Sequence, residues 1–277
     1  MKKLKYFFDF LIIFLIFDAL IISKNYVIAV PITCFYIAYK LFKNKSSIYA
    51  FKGNLYFEKK DYNSALHFYE KACLNPKVDS SIILKYAYIL LYCGKLTACK
   101  EMLDSINYNA LKSNLKISYT ITESLYLWKS GNLSSSIIKC RQINPEFKHT
   151  LLYETLGYLL VLSGNYIEAL KYNEEAYEYD NESLIIADNL AQSYYFLGNF
   201  EKAAKIYTKI IEDNDKKPTF MEPYFYYGLI LKSNGNFDSS LKYFNIALSM
   251  KESFLSSLTH NRIQEEINSI TASINPL

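Results

Sequence analysis

Arginine is nearly missing from this 277-residue chain: of 31 basic residues, only Arg141 and Arg262 are arginines. The planar fork that grips phosphate bidentately is therefore almost absent, which argues against nucleic acid as a partner. Cysteine is sparse and unpatterned. Cys34, Cys73, Cys93, Cys99 and Cys140 are odd in number and form no CxxC pair, so small buried thiols in a reducing compartment fit better than a disulfide framework or a zinc site. The three histidines, His67, His149 and His260, lie far apart without metal-ligand spacing. No GxGxxG or phosphate loop occurs, and Ser134-Ser135-Ser136 has no base within its own stretch. The chain is expected to be no enzyme, with no catalytic residues, no metal and no cofactor.

A balance of charge is also lacking at one end. Residues 1–45 carry seven lysines against Asp9 and Asp18, whereas the rest is close to neutral within a net charge of +4. That end is also where the long apolar runs are. Phe7 to Ile22 is apolar apart from Asp9 and Asp18, and Tyr26 to Tyr39 is apolar with Pro31 inside it. Ser23-Lys24-Asn25 separates the runs. Two short spans of about 6–23 and 26–42 are expected, a membrane anchor over residues 1–45 that meets the lipid bilayer through residues 6–42. No small-residue cleavage site follows the first run, so the segment is expected to be retained. Lysines flank both outer ends and only Lys24 lies in the turn, which places a multi-pass anchor in the cell membrane with everything C-terminal of it in the cytoplasm. Asp18 within the first span raises the idea of an ion or proton relay, but it has no acidic or basic partner deep in the second run, and a carboxylate reaching interfacial water is favoured.

What the remainder has is a repeat. Gly164-Asn165-Tyr166 recurs as Gly94-Lys95-Leu96, Gly131-Asn132-Leu133, Gly198-Asn199-Phe200 and Gly235-Asn236-Phe237, with a glycine-free version at Lys60-Asp61-Tyr62. The intervals run from 33 to 37 residues, the period of a stacked-hairpin solenoid. Around each turn small residues recur. Gly53, Ala65 and Ala72 mark the first unit; Gly157, Ala169 and Ala176 the fourth; Ala191 and Ala203 the fifth; Gly228, Ser240 and Ala247 the sixth. Two antiparallel helices approach closely only where side chains are tiny, and a ring four residues after the small one fills the gap on the same face. Glycine ends the first helix in a left-handed conformation, and the following asparagine can cap the second.

These residues resemble the tetratricopeptide repeat, whose small-aromatic-small pattern they match at most positions. The resemblance, over about Ser46 to Phe254, implies an all-α fold, a right-handed α-solenoid of about six helix-turn-helix repeats; the apolar runs place a two-helix transmembrane hairpin before it. The units are about 46–79, 80–113, 117–149, 150–183, 184–217 and 221–254. Units two and three fit less well, with Ala87, Cys99 and Leu103 in one and Ser124, Ser136 and Cys140 in the other, and the extra residues fall in the connections Asn107–Leu115 and Asp213–Met221. A helical stripe from Ser253 to Ser273 makes 255–277 a capping helix and frayed tail.

In this family the first helix of each unit lines a concave groove. The resemblance therefore implies a partner-binding trough of Asn54, Tyr88, Trp128, Glu154, Tyr158, Asp188, Gln192, Tyr195, Glu222 and Phe225. Apart from Asn54, the lysines, arginines and asparagines with which family members clamp a terminal carboxylate are missing. The expected ligand is a protein or peptide with apolar anchors and a basic residue facing Glu154, Asp188 and Glu222. The expected function is a membrane-tethered scaffold or adaptor; the alternatives are a sensor for a small peptide signal and an accessory subunit of a membrane enzyme or transporter acting through the hairpin.

Overall fold

The computed structural model describes residues 2–143, 148–213 and 216–274. Among them are fifteen α-helices and no strand. The chain clusters into two compact units, residues 1–86 and 87–277. The tail 275–277, and Asn214 and Asp215 within the second long connection, lie outside the described residues.

In the first unit, α1 (Lys2–Phe17) continues as one π-helical turn over Asp18–Ile22, and α2 spans Tyr26–Lys43. The corner between them closes through the Ser23 amide donating to the Asp18 carbonyl at 2.8 Å, with Lys24 in the left-handed region. Among the described residues one helix, Tyr26–Lys43, is long and apolar enough to cross a membrane, where the sequence suggested two spans. The first apolar run is shorter as an α-helix because its winding changes at Asp18. Little of this apolar surface is covered: Val27, Phe35 and Phe42 are each more than three-quarters exposed.

The hairpin α3 (Lys45–Glu58) and α4 (Tyr62–Cys73) follows. Ala65 and Ala72 are fully buried at its crossing, and a Cβ added at Gly53 would come within 2.5 Å of the Tyr69 ring. The ring occupies the space glycine leaves. Its turn residue, Lys60, adopts φ +61° without the freedom glycine has, and Asp61 caps α4 by accepting from the Ser64 amide.

The chain continues through α5 (Ser80–Tyr92) and α6 (Leu96–Asp104), then α7 (Ser113–Lys129) and α8 (Leu133–Ile143), α9 (Thr150–Leu162) and α10 (Tyr166–Tyr179), α11 (Leu184–Phe196) and α12 (Phe200–Glu212), and α13 (Glu222–Ser233) and α14 (Phe237–Ser249). The glycines between these pairs all take φ between +73° and +87°, so each first helix ends in the same left-handed step. Asn132, Asn165 and Asn236 then accept a backbone amide three residues on, capping the second helices.

In the second unit, the close crossings use two chemistries. Ala169, Ala176, Ala203 and Ala247 are fully buried methyl contacts. Ser136 and Ser240 occupy the equivalent place and donate to the carbonyls of Ser124 and Gly228 at 2.7 and 2.8 Å, so a buried hydroxyl is satisfied by the facing helix. The aromatic filler Phe244 sits against Gly228. In the fourth hairpin Asn173 takes that position instead, fully buried, and its amide donates to Ser193 Oγ and the Asn189 carbonyl, tying one hairpin to the next.

The last helix, α15, covers His260–Ile274. It starts seven residues after the stripe that suggested a helix from Ser253, because the serines before it turn the chain: the Ser256 amide donates to the Ser253 carbonyl and Ser256 Oγ accepts from the Leu258 amide. Ile263 and Ile270 are fully buried against the core of the final hairpins. Helix α15 thus closes the last apolar layer.

Candidate functional site

The connector Met250–Thr259, between α14 and α15, runs across the first helices of the second unit. Its Phe254 ring lies over Gly94, where an added Cβ would come within 3.3 Å. The Lys129 ammonium stands 4.9 Å from the centre of that ring and 4.1 Å from the Trp128 ring, and donates to the Ser256 carbonyl at 2.9 Å. The Ser257 amide donates to the Tyr158 hydroxyl at 2.8 Å, and that hydroxyl donates to Ser257 Oγ at 3.0 Å. Ser256 Oγ donates to the Glu222 carboxylate. Gly94 and Glu222, 128 residues apart, meet one short strip of chain.

Three of the residues singled out from the sequence therefore converge on the connector or beside it: Tyr158, Glu222 and Trp128, whose ring packs edge-on to Tyr158 at 5.5 Å. Others are committed elsewhere. Asn54 accepts from the Tyr69 hydroxyl at 2.7 Å, inside its own hairpin. Phe225 is buried against Phe244 at 5.7 Å. Tyr195 packs in a cluster with Phe196, Phe200 and Tyr226. Tyr88 is half-buried on α5 near enough to Glu154 to feel its charge. Glu154 accepts from Ser183 Oγ at 2.7 Å and borders an open depression of about 500 Å³ lined by Thr150, Asp180, Lys217 and Phe220.

Asp188 and Gln192 lie beneath the surface, 3% and 2% exposed, with Gln192 Nε2 donating to Asp188 Oδ2 at 2.8 Å. The other oxygen, Asp188 Oδ1, and the Tyr207 hydroxyl are buried without a hydrogen-bond partner of good geometry. Burial pushes the Asp188 carboxyl well above the ordinary carboxylate range, and the Glu222 charge adds to it. Burial also raises Glu222, against the pull of the Ser256 hydroxyl. Lys129 is lowered by burial. Of the three acids expected to face a basic residue, Glu222 meets the chain's own Ser256, Glu154 accepts from Ser183, and Asp188 is buried on Gln192.

Sequence reasoning missed Lys129, Phe254, Ser256 and Ser257. The lysine adjoins Trp128 on α7, and its reach is invisible without the neighbouring turns. A signal for the connector did exist: Ser253, Ser256 and Ser257 cluster between two periodic stretches, a loop composition laid over a weak apolar stripe. All five cysteines are free. His149 caps α9 by accepting the Leu151 amide, and His260 contacts the Met250 carbonyl.

The sequence profile of the tetratricopeptide repeat matches residues 46–74 and 186–212, which cover α3–α4 and most of α11–α12. A TPR repeat-containing protein of Methanocaldococcus jannaschii is 26% identical over 164 residues, 59% of this chain, which spans only 28% of that relative's length. The photosystem I assembly protein Ycf3 of a Synechococcus strain is 29% identical over 122 residues, 42% of this chain and 70% of the relative. Among solved structures, the type IV pilus biogenesis factor PilW superposes with a TM-score of 0.60 over 82% of this chain and 98% of its own, at 15% identity. A thermophilic TPR protein of Thermus thermophilus gives 0.55 over 70% and 99%, at 13% identity. Residues 46–74 and 186–212 thus match tetratricopeptide repeats, and the likeness to the solved structures shows an all-helical solenoid fold.

Proposed function

We propose that this protein is a non-enzymatic adaptor, tethered to a membrane by its N-terminal helices, which takes a segment of a protein or peptide partner into the groove of residues 87–277. One observation carries the reading. Lys129 and Tyr158 bond main-chain atoms of Ser256 and Ser257, groups that every polypeptide presents, so the trough is suited to hold a non-helical segment that turns as Ser253–Ser256 does. The name of one relative, an assembly protein, is consistent with a role in bringing other proteins together.

The tether rests on the apolar surface of α2 and its lysine flank, Lys40, Lys43 and Lys45. A captured partner would be held close to the lipid at raised local concentration. The cytoplasmic side follows from the lysine bias, and a second span from the first apolar run.

Photo-crosslinking from position 128 in intact cells tests the adaptor. Discrete protein adducts that disappear in Lys129→Ala and Tyr158→Phe are expected; adducts insensitive to both substitutions would overturn the groove as the binding surface.

A further inference from the structure

The groove of the second unit is not vacant. Met250–Leu258 lies in it, and the contacts divide into two kinds. Lys129 to the Ser256 carbonyl and the Ser257 amide to Tyr158 read main chain alone. Phe254 between Gly94 and Lys129, Ser256 on Glu222, and Ser257 Oγ on Tyr158 read side chains: one ring, then hydroxyls two and three positions later.

The strip is held by a few polar contacts and is partly open to solvent. Phe254 is 38% exposed and Ser257 is on the surface. Its flanks are anchored independently, α14 through Phe244 and Ala247, and α15 through Ile263, Ile270 and the Lys232–Glu266 ion pair at 2.5 Å. Met250 and Glu252 are tied to His260 at the start of α15, so Ser253–Ser257 is the part that can lift away while both neighbouring helices stay docked, as a loop fixed at its ends.

We propose that Ser253–Ser257 is a built-in competitor for this groove, and that the partner's segment repeats its pattern: an aromatic residue followed two and three positions later by serine or threonine. This deepens the adaptor reading and rests on it. The partner must displace the strip, so the apparent affinity is reduced by the fraction of molecules in which the strip is seated. Loosening the strip should tighten capture without adding any contact to the partner.

The test uses the full-length chain in detergent and a fluorescein-labelled synthetic peptide with the sequence of residues 250–259. By fluorescence anisotropy, Phe254→Ala in the protein should tighten peptide binding by roughly ten-fold over wild type. Replacing the phenylalanine of the peptide by alanine should abolish that gain, as should adding Lys129→Ala to the protein. Equal affinity for wild type and Phe254→Ala, or indifference to the peptide's own phenylalanine, overturns the proposal. Should Phe254→Ala fail to fold, hydrogen exchange on the wild type decides: saturating peptide should speed exchange at the Ser257 amide, and binding with unchanged exchange there overturns it. Dimerisation of Phe254→Ala with the strip exchanged between copies would replace the partner with a second copy of this chain. In-cell adducts at position 128 without peptide binding leave the adaptor standing and sink the competitor; peptide binding without adducts does the reverse.

Discussion

Tyr158 and Ser257 stand 99 residues apart in the chain and exchange two hydrogen bonds, the serine amide donating to the tyrosine hydroxyl and the hydroxyl donating to Ser257 Oγ. This pair joins the fourth hairpin to the connector after the sixth. Tyr158→Phe keeps the ring against Trp128 and removes only the oxygen. Chemical denaturation should show a loss of about 1 kcal/mol, the net value of a hydrogen bond near the surface, and exchange at the Ser257 amide should rise. An unchanged amide would mean that the strip is held by Lys129 and Glu222 alone.

Asp188 offers a pH test. Its folded-state carboxyl is raised by burial and by Glu222, so the folded protein binds a proton more tightly there than the unfolded chain does. The penalty of holding it ionised is present at pH values above the raised folded value. It is relieved as pH falls through that value towards the ordinary carboxylate range. Asp188→Asn removes the charge while the amide oxygen can still accept from Gln192. It should raise the melting temperature at pH 8, by on the order of 1 kcal/mol in stability, and by less at pH 5. A loss of stability at pH 8 would show that the carboxylate is needed in its charged form.

Lys60 is the only non-glycine at the repeating turn position among the described residues, at φ +61°. Lys60→Gly should stabilise the first hairpin by about 1 kcal/mol, since a side chain in this conformation is strained. Thermal melting of the full chain reads it, and a destabilised variant would refute the strain.

Gly228 faces Phe244, and an added Cβ would come within 2.6 Å of that ring, which is fully buried and has no room to retreat. Gly228→Ala should cost about 1–3 kcal/mol by overpacking. Helical circular dichroism through a denaturant series measures it, and an unchanged midpoint would show that the crossing can open.

The tether has its own test. Phe35 is 78% exposed near the middle of α2, so its replacement disturbs little packing. Phe35→Lys puts a charge where a bilayer core would tolerate it poorly, at about 2.5–3.5 kcal/mol. Alkaline extraction should then release protein that is otherwise retained; equal retention of both forms would exclude α2 as the anchor.

Period and side-chain size were legible from residue order alone, because they are local. Tiny residues every thirty-odd positions specify hairpins, glycine followed by asparagine specifies the turn and its cap, and the alanines at 65, 169, 203 and 247 are fully buried. The asparagine that replaces a ring at position 173 was legible as a residue but not as a tie between hairpins, since its partners at 189 and 193 belong to the next unit.

The sequence by itself determined an all-helical repeat, its turns, and an apolar N-terminal end. Only the tertiary structure decided what lies in the trough. Helical spacing says which face a side chain is on, not what else comes to that face. Phe254, Ser256 and Ser257 reach Lys129, Tyr158 and Glu222 because successive hairpins rotate until distant turns share one strip of chain. That rotation is a sum of small packing offsets over several hairpins, and no local stretch of residues encodes it.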